Sequence, residues 1–320
     1  MKLGVMANIF CGKNWKEACE AAKKAGLTAI EPGCGGFVGK THCDPQKLLS
    51  DKNELKEWVN IAERNGLEIS SISCHGNMLH PDNKISNAHI ADFENAITFA
   101  STIGVKVINS FAGCPGASEG EKYPNWITCP WPTYYGEAIK WQWEKKLIPF
   151  WSNMVKKLKK AKISVGFEMH EGDMVYNTET LLKLRDAVGE QVCCCFDPSN
   201  LFWQGINPIK AIQALKGIIV NVHAKDGKIN REIVEFTGSS DWKNYSELDK
   251  RAWNFRTVGY GHGVEFWNEF LYTLRLSGYD GVISIEHEDP LISGEEGLNK
   301  AISFLKDKIL QAPKGEMWWA

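Results

Sequence analysis

Four short apolar runs in this 320-residue chain each end on a group that can bind a metal ion. Ile163-Ser-Val-Gly-Phe runs into Glu168, Cys194-Cys-Phe into Asp197, Val220-Asn-Val into His223 and Ile283-Ser-Ile into Glu286. Singly, a carboxylate at a strand end is more often a solvated or ion-paired surface group than a ligand. The coincidence of four carries the reading, because clustered carboxylates repel one another unless a cation sits among them. Three carboxylates and one imidazole make a hard, oxygen-rich set that favours Mn2+, Mg2+ or Co2+ and leaves Zn2+ open. Such an ion can polarise a carbonyl or stabilise an enediolate, so that a nearby base removes the proton on the adjacent carbon. Side chains two apart in a strand share a face, which sets His170 beside Glu168 and makes it a candidate base. Glu171 and a ligand carboxylate such as Glu286 are the alternatives, and His75, Lys225 and His262 are candidate substrate contacts in the same mouth.

Bringing four strand ends together requires parallel strands, and the pattern supplies them. Strand-like segments at 2–8, 27–31, 68–74, 105–110, 163–168, 191–196, 218–222 and 282–285 alternate with helical ones at 15–25, 44–65, 86–103, 135–161, 178–188, 208–215, 264–276 and 295–308. Several strands are continuous apolar runs, as burial on both faces requires. The alternation predicts an α/β fold, a closed (β/α)8 TIM barrel filling 1–320 as one domain, with its site at the C-terminal ends of the strands. Pro149 should kink the 135–161 helix. Segments 112–133 and 226–262 exceed plain βα loops and are expected to lie over the mouth. The first carries Trp126 and Pro130-Trp131-Pro132, with Trp141 and Trp143 following. This aromatic run reads as a packed lid, or, at Trp131, as a surface that stacks on a sugar or aryl ring.

Composition narrows the class. Hydrophobic content of 43%, charged content of 24%, a net charge of −2 and a pI near 6.5 predict a globular protein without a nucleic-acid footprint. Neither a signal-peptide pattern nor an 18-residue apolar run is present, which predicts a cytoplasmic chain that does not enter a membrane. The ten cysteines contain no Cys-x-x-Cys pair and read as small buried hydrophobes in a reducing compartment. Gly33-Cys-Gly-Gly-Phe-Val-Gly39 lacks the dinucleotide fingerprint and reads as a flexible loop.

Over nearly its whole length the chain resembles the xylose isomerase-like barrel superfamily of sugar isomerases and epimerases. The likeness is carried by Glu168-Met-His170, Phe196-Asp197-Pro-Ser-Asn200, Val222-His223-Ala-Lys225-Asp226, the stretch from Phe255 to His262 and Ser284-Ile-Glu286-His-Glu-Asp289. It implies that Glu168, Asp197, His223 and Glu286 are the metal ligands, with Mn2+ the common metal. Within the superfamily, the arrangement is similar to the larger subunit of bacterial C-glycoside deglycosidases. That resemblance implies a 3-oxo-C-glucoside as substrate, removal of its C2 proton by a histidine in the position of His170, and departure of the aryl carbon from C1. It also implies an oligomer with a small β-sandwich partner subunit. Isomerisation or 3-epimerisation of a free ketose begins with the same proton removal and is the alternative. One departure weighs against epimerase chemistry: relatives have Asp-Pro-Ser-His where this chain has Asp197-Pro-Ser-Asn200, and an amide hydrogen-bonds substrate but does not titrate. Abasic-site endonucleases of the same superfamily use more histidine ligands and a basic face, neither of which is seen here.

Overall fold

Strands covered on both faces must be apolar along their length, and Val192–Phe196 is buried at every position. The computed structural model, which describes residues 1–319, assembles such runs into one parallel sheet. Its strands are β1 (Lys2–Met6), β2 (Ala29–Glu31, resuming as Gly33–Gly36), β3 (Glu68–Ile69, resuming as Ile72–His75) and β4 (Val107–Ser110). They continue as β5 (Ser164–Glu168), β6 (Val192–Phe196), β7 (Ile219–Ala224) and β8 (Val282–Ile285). β8 pairs with both β7 and β1, which closes the sheet into the expected (β/α)8 barrel.

The closure has a joint at Pro32, which has no N–H to give the ladder. Ala29–Glu31 pairs with β1 and with the first part of β3, whereas Gly33–Gly36 pairs with the second part of β3. The glycine run expected as a flexible loop is thus, in its first half, a barrel strand. Gly36 has φ 67°, and a Cβ there would meet the His75 carbonyl oxygen at 1.9 Å, so no other residue fits.

Two helices differ from expectation for local reasons. The 44–65 segment forms Pro45–Ser50 and Lys52–Arg64, because Asp51 turns extended and its carboxylate caps the N–H groups of Asn53 and Glu54. In the 135–161 segment, a π-helical turn at Gln142–Leu147 joins Thr133–Trp141 to Ile148–Ala161. It lies just before Pro149, where the α-helical hydrogen-bond ladder loses a donor.

The long segment after β4 has no helix or strand until Thr133 and is pinned by side chains. Trp151 Nε1 donates to the Ala112 carbonyl (2.8 Å), and Gln142 Nε2 donates to the Gly116 and Asn125 carbonyls. The segment after β7 is no loop. It forms an antiparallel hairpin of Asp226–Ile229 with Trp253–Arg256, carrying the helix Arg231–Thr237 between them. Trp203, Ala252, Trp253 and Phe255 give this excursion a small core of its own. Buried Asp226 anchors its return by accepting the N–H groups of Gly259, Gly261 and His262. Among the described residues, no helix is long and apolar enough to cross a membrane.

Candidate metal centre

The last residue of β5, the residues just after β6 and β8, and His223 near the end of β7 bring the four strand-end donors together. Donor atoms of Glu168, Asp197, His223 and Glu286 lie within 4.8 Å of one another. His223 Nδ1 is 3.0 Å from Glu286 Oε2 and 3.5 Å from Glu168 Oε2. Neither His223 Nδ1 nor Glu286 Oε2, both buried, makes a well-aligned hydrogen bond, although Lys225 Nζ lies 3.2 Å from Glu286 Oε2. Buried polar atoms are normally satisfied, so donors that converge without bonding one another suit a shared cation. The residues fit a divalent ion.

Behind the donors lies a partner that sequence reading missed. Glu31, fully buried at the break in β2, faces His223 Nε2 at 3.0 Å. Its carboxylate also accepts from Asn109 Nδ2 (2.7 Å), Asn221 Nδ2 (3.1 Å) and the Ser73 hydroxyl. A carboxylate only accepts, so Nε2 carries the hydrogen and Nδ1 is left to face the other donors. The available signal was the same as for the ligands, a short apolar run ending on a carboxylate, Ala29-Ile-Glu31.

Charge is balanced within the cluster. Lys225, 2% exposed, places Nζ 3.0 Å from Asp197 Oδ2, 3.2 Å from Glu286 Oε2 and 3.1 Å from Glu288 Oε2. Burial disfavours its charge, but these carboxylates hold its pKa well above the usual lysine range. Burial also raises the carboxyl groups. For Glu168 it is outweighed by His223, His75 and Lys225, so its pKa stays well below the ordinary value. For Asp197, burial together with repulsion from Glu168 and Glu286 outweighs Lys225 and His223, and its pKa is pushed up to about 6.

Two of the donors, Glu168 and Glu286, open into a cavity of about 360 Å3 that His75, Phe111, His170 and Lys225 also line. His75 Nε2 is 3.1 Å from Glu168 Oε2. His170 Nδ1 is 2.7 Å from the Glu171 carbonyl, which can only accept, so the ring keeps Nε2 as a free acceptor. Four other candidates lie elsewhere. Asn200 sits behind the donors, its Nδ2 donating to Glu168 Oε1 (2.8 Å) and Asp197 Oδ2 (3.1 Å). Glu171 accepts the Tyr245 hydroxyl (2.8 Å). His262 pairs with Asp226 Oδ1 (2.8 Å) and stacks on Phe202, outside the cavity wall. Trp131 is 74% exposed and also lines no part of that wall. A more open groove of about 830 Å3 beside Tyr260 and Lys300 contains none of the clustered donors.

The chain is similar to known proteins. The family model described as xylose isomerase-like TIM barrel matches residues 19–308. A Bacillus subtilis (strain 168) protein, uncharacterized protein YfiH, is 32% identical over 314 residues, covering 97% of this chain and 100% of its own. Inosose dehydratase 2 of Bacillus cereus is 28% identical over 170 residues, or 52% of this chain and 55% of that one. Among solved structures, the IOLI protein with a zinc atom superposes with a TM-score of 0.65 at 18% identity, covering 97% of this chain and 98% of its own.

Proposed function

The chain belongs to the xylose isomerase-like TIM-barrel family, and from that premise we propose that it is a metal-dependent enzyme that deprotonates a keto-sugar next to its carbonyl. One observation carries the proposal: His223 Nδ1 and three carboxylates converge within 4.8 Å of one another, and two of those carboxylates, Glu168 and Glu286, border the cavity that His170 lines. Glu168, Asp197, His223 and Glu286 would hold the ion, Mn2+ being our choice for so oxygen-rich a set. Bound there, it would act as a Lewis acid toward the substrate carbonyl. His170, its Nδ1–H fixed on the Glu171 carbonyl, takes the α proton at Nε2. Lys225 offers a fixed positive charge beside the negative charge that develops on the sugar. Phe111, Met6 and Ile9 form an apolar side of the cavity that limits water.

Our finer reading is elimination. The C2–H electron pair forms the enolate; as the carbonyl re-forms and a double bond develops between C1 and C2, the C1–aryl bond breaks with its electron pair going to the aryl carbon, which takes the proton from His170. In this reading the substrate is a 3-oxo-C-glucoside and the chain is the catalytic subunit beside a small β-sandwich partner. The relative named as an inosose dehydratase supports elimination as an outcome, and Asn200, bonded to two ligand carboxylates and unable to titrate, supports it over epimerisation. The second reading, isomerisation or 3-epimerisation of a free ketose, needs a group to return the proton, and Glu286 borders the same cavity.

The test is incubation of the Mg2+-loaded protein in D2O with a ketohexose and with a 3-oxo-C-glucoside, followed by NMR. Release of the free aryl product is expected. Deuterium entering the ketose with a new epimer or aldose would instead establish the second reading. Neither signal, with metal bound, would leave a sugar-binding barrel. His170→Ala should abolish turnover while calorimetry still shows metal binding, and retained turnover would move the base to Glu171 or Glu286.

A further inference from the structure

The chain turns sharply just beyond β5, and the candidate base opens that turn. Asp173 N donates to the His170 carbonyl (3.3 Å), which closes a four-residue turn over His170-Glu171-Gly172-Asp173. Gly172 has φ 76°, while Glu171 keeps the negative φ of an ordinary residue. A positive φ at the third position alone makes this a type II turn. Both corners are anchored. The Glu171 carboxylate accepts the Tyr245 hydroxyl (2.8 Å), and the buried Asp173 carboxylate accepts the Gly113 and Val175 N–H groups (2.7 and 3.0 Å). The middle is open: Gly172 is exposed, and a Cβ there would meet nothing within 4 Å among the described residues.

The peptide in that middle joins Glu171 to Gly172, and its carbonyl is the one that receives His170 Nδ1–H (2.7 Å). Among the described residues no other hydrogen bond reaches this ring. Phe111 flanks it, the centroids 4.9 Å apart, and its remaining edge is open to space. It lines both the cavity at the metal centre and a second one, of about 510 Å3, walled by Tyr245, Leu248 and Phe255. Type I and type II turns differ in ψ at the second residue and φ at the third, which turns the central peptide over and leaves its neighbours in place. In the type I form the Glu171 carbonyl would point away and the Gly172 N–H would face the ring. A carbonyl only accepts and an N–H only donates, so the two forms dictate opposite tautomers. The type II form puts the hydrogen on Nδ1 and leaves Nε2 able to take a proton. The type I form reverses both.

We propose that the Glu171–Gly172 peptide positions the base: its type II orientation selects the His170 tautomer that takes the substrate proton. The inference rests on the keto-sugar reading for the role of His170. It adds that Gly172, which lines neither cavity, is a positioning residue that governs whether the base works. A residue with a Cβ disfavours a positive φ roughly 10-fold relative to glycine, and asparagine least of the common side chains. Because the space around Gly172 admits a Cβ, a substitution there changes the backbone preference and little else.

Nitrogen–proton NMR of the histidine rings in the Mg2+-loaded full chain reads the tautomer directly, at a pH where the His170 signals no longer move and with His170→Gln to assign them. The parent should carry its hydrogen on Nδ1. Gly172→Ala should move the tautomer ratio about 10-fold toward Nε2–H. Gly172→Asn, which tolerates the positive φ, should stay nearer the parental ratio, and its folded spectrum shows that a side chain fits. Exchange of the α proton of a ketohexose and of a 3-oxo-C-glucoside in D2O should fall in step with the Nδ1–H population that remains, with KM unchanged. A parent that carries its hydrogen on Nε2, or a ratio unmoved in Gly172→Ala, overturns the proposal. A moved ratio with exchange at the parental rate overturns it too, and takes the role of base from His170. If the parent exchanges neither substrate while Gly172→Ala moves the ratio, control of the tautomer by the turn stands and the keto-sugar reading falls.

Discussion

Glu31 decides which nitrogen of His223 is offered to a metal, since its carboxylate can only accept the hydrogen on Nε2. Glu31→Gln puts an amide in that place and weakens the preference for the useful tautomer. Metal affinity measured by calorimetry should fall about 10- to 100-fold with the fold intact by circular dichroism, and an unchanged Kd would reduce Glu31 to packing. The four clustered donors were legible because each closes an apolar run and their types make sense together. Glu31 closes one as well, but Pro32-Gly33 follow it like a turn, and Ser73, Asn109 and Asn221 are polar residues inside strands with nothing in sequence to aim them. Asp173 gives a prediction of another sort. Burial, against bonds from the Val175 and Gly113 N–H groups, raises its pKa from 3.8 to about 6. The folded chain therefore holds this proton more tightly than the unfolded one. The stability the group contributes is full below about pH 4 and is lost as pH rises through 6. In urea unfolding, the stability of the parent relative to Asp173→Asn should decline by roughly 2 kcal/mol between pH 4 and pH 7. A difference that does not vary with pH would show that this carboxyl does not titrate as described.

Asp226 shows what an element needs in order to stay put. It gathers three backbone N–H groups, the His262 ring and the Trp267 indole around one buried carboxylate. Asp226→Ala leaves those donors unanswered and should cost about 2–4 kcal/mol, read as faster proteolysis within 226–262. Proteolysis at the parental rate would mean that the aromatic core under the excursion suffices. Barrel strands and most helices were legible from periodicity and terminal glycines. The hairpin was not: its four-residue strands pair across the 23 residues between Ile229 and Trp253, and only the fold brings them together. The break at Asp51 was hidden because an aspartate on an exposed helix face and one capping a new helix look alike until the backbone turns.

At the scale of the molecule, eight of the ten thiols are buried, and only Cys11 and Cys129 are exposed. Burial lifts the thiols of Cys19, Cys114 and Cys195 to about 12. A thiol reagent at pH 8 should therefore titrate two groups promptly in the native protein and ten in denaturant. Prompt reaction of Cys193, Cys194 or Cys195 would mean that β6 opens. Metal linkage also acts globally. An ion at 100 times its Kd should stabilise the fold by about 2.7 kcal/mol, lost on chelation as a lower Tm. A Tm indifferent to both ion and chelator would remove the metal from the account. The barrel and its site end were readable because alternation, length and strand-end donors all agreed. The clustered donors come from the ends of four separate strands between residues 168 and 286, whereas most of the wall of the cavity around Tyr245 and Phe255 comes from the single excursion that follows β7. A contiguous stretch can be inherited, lost or exchanged in one genetic event, while four scattered donors cannot. Relatives of this chain are thus free to keep one reaction and trade the molecules to which it is applied.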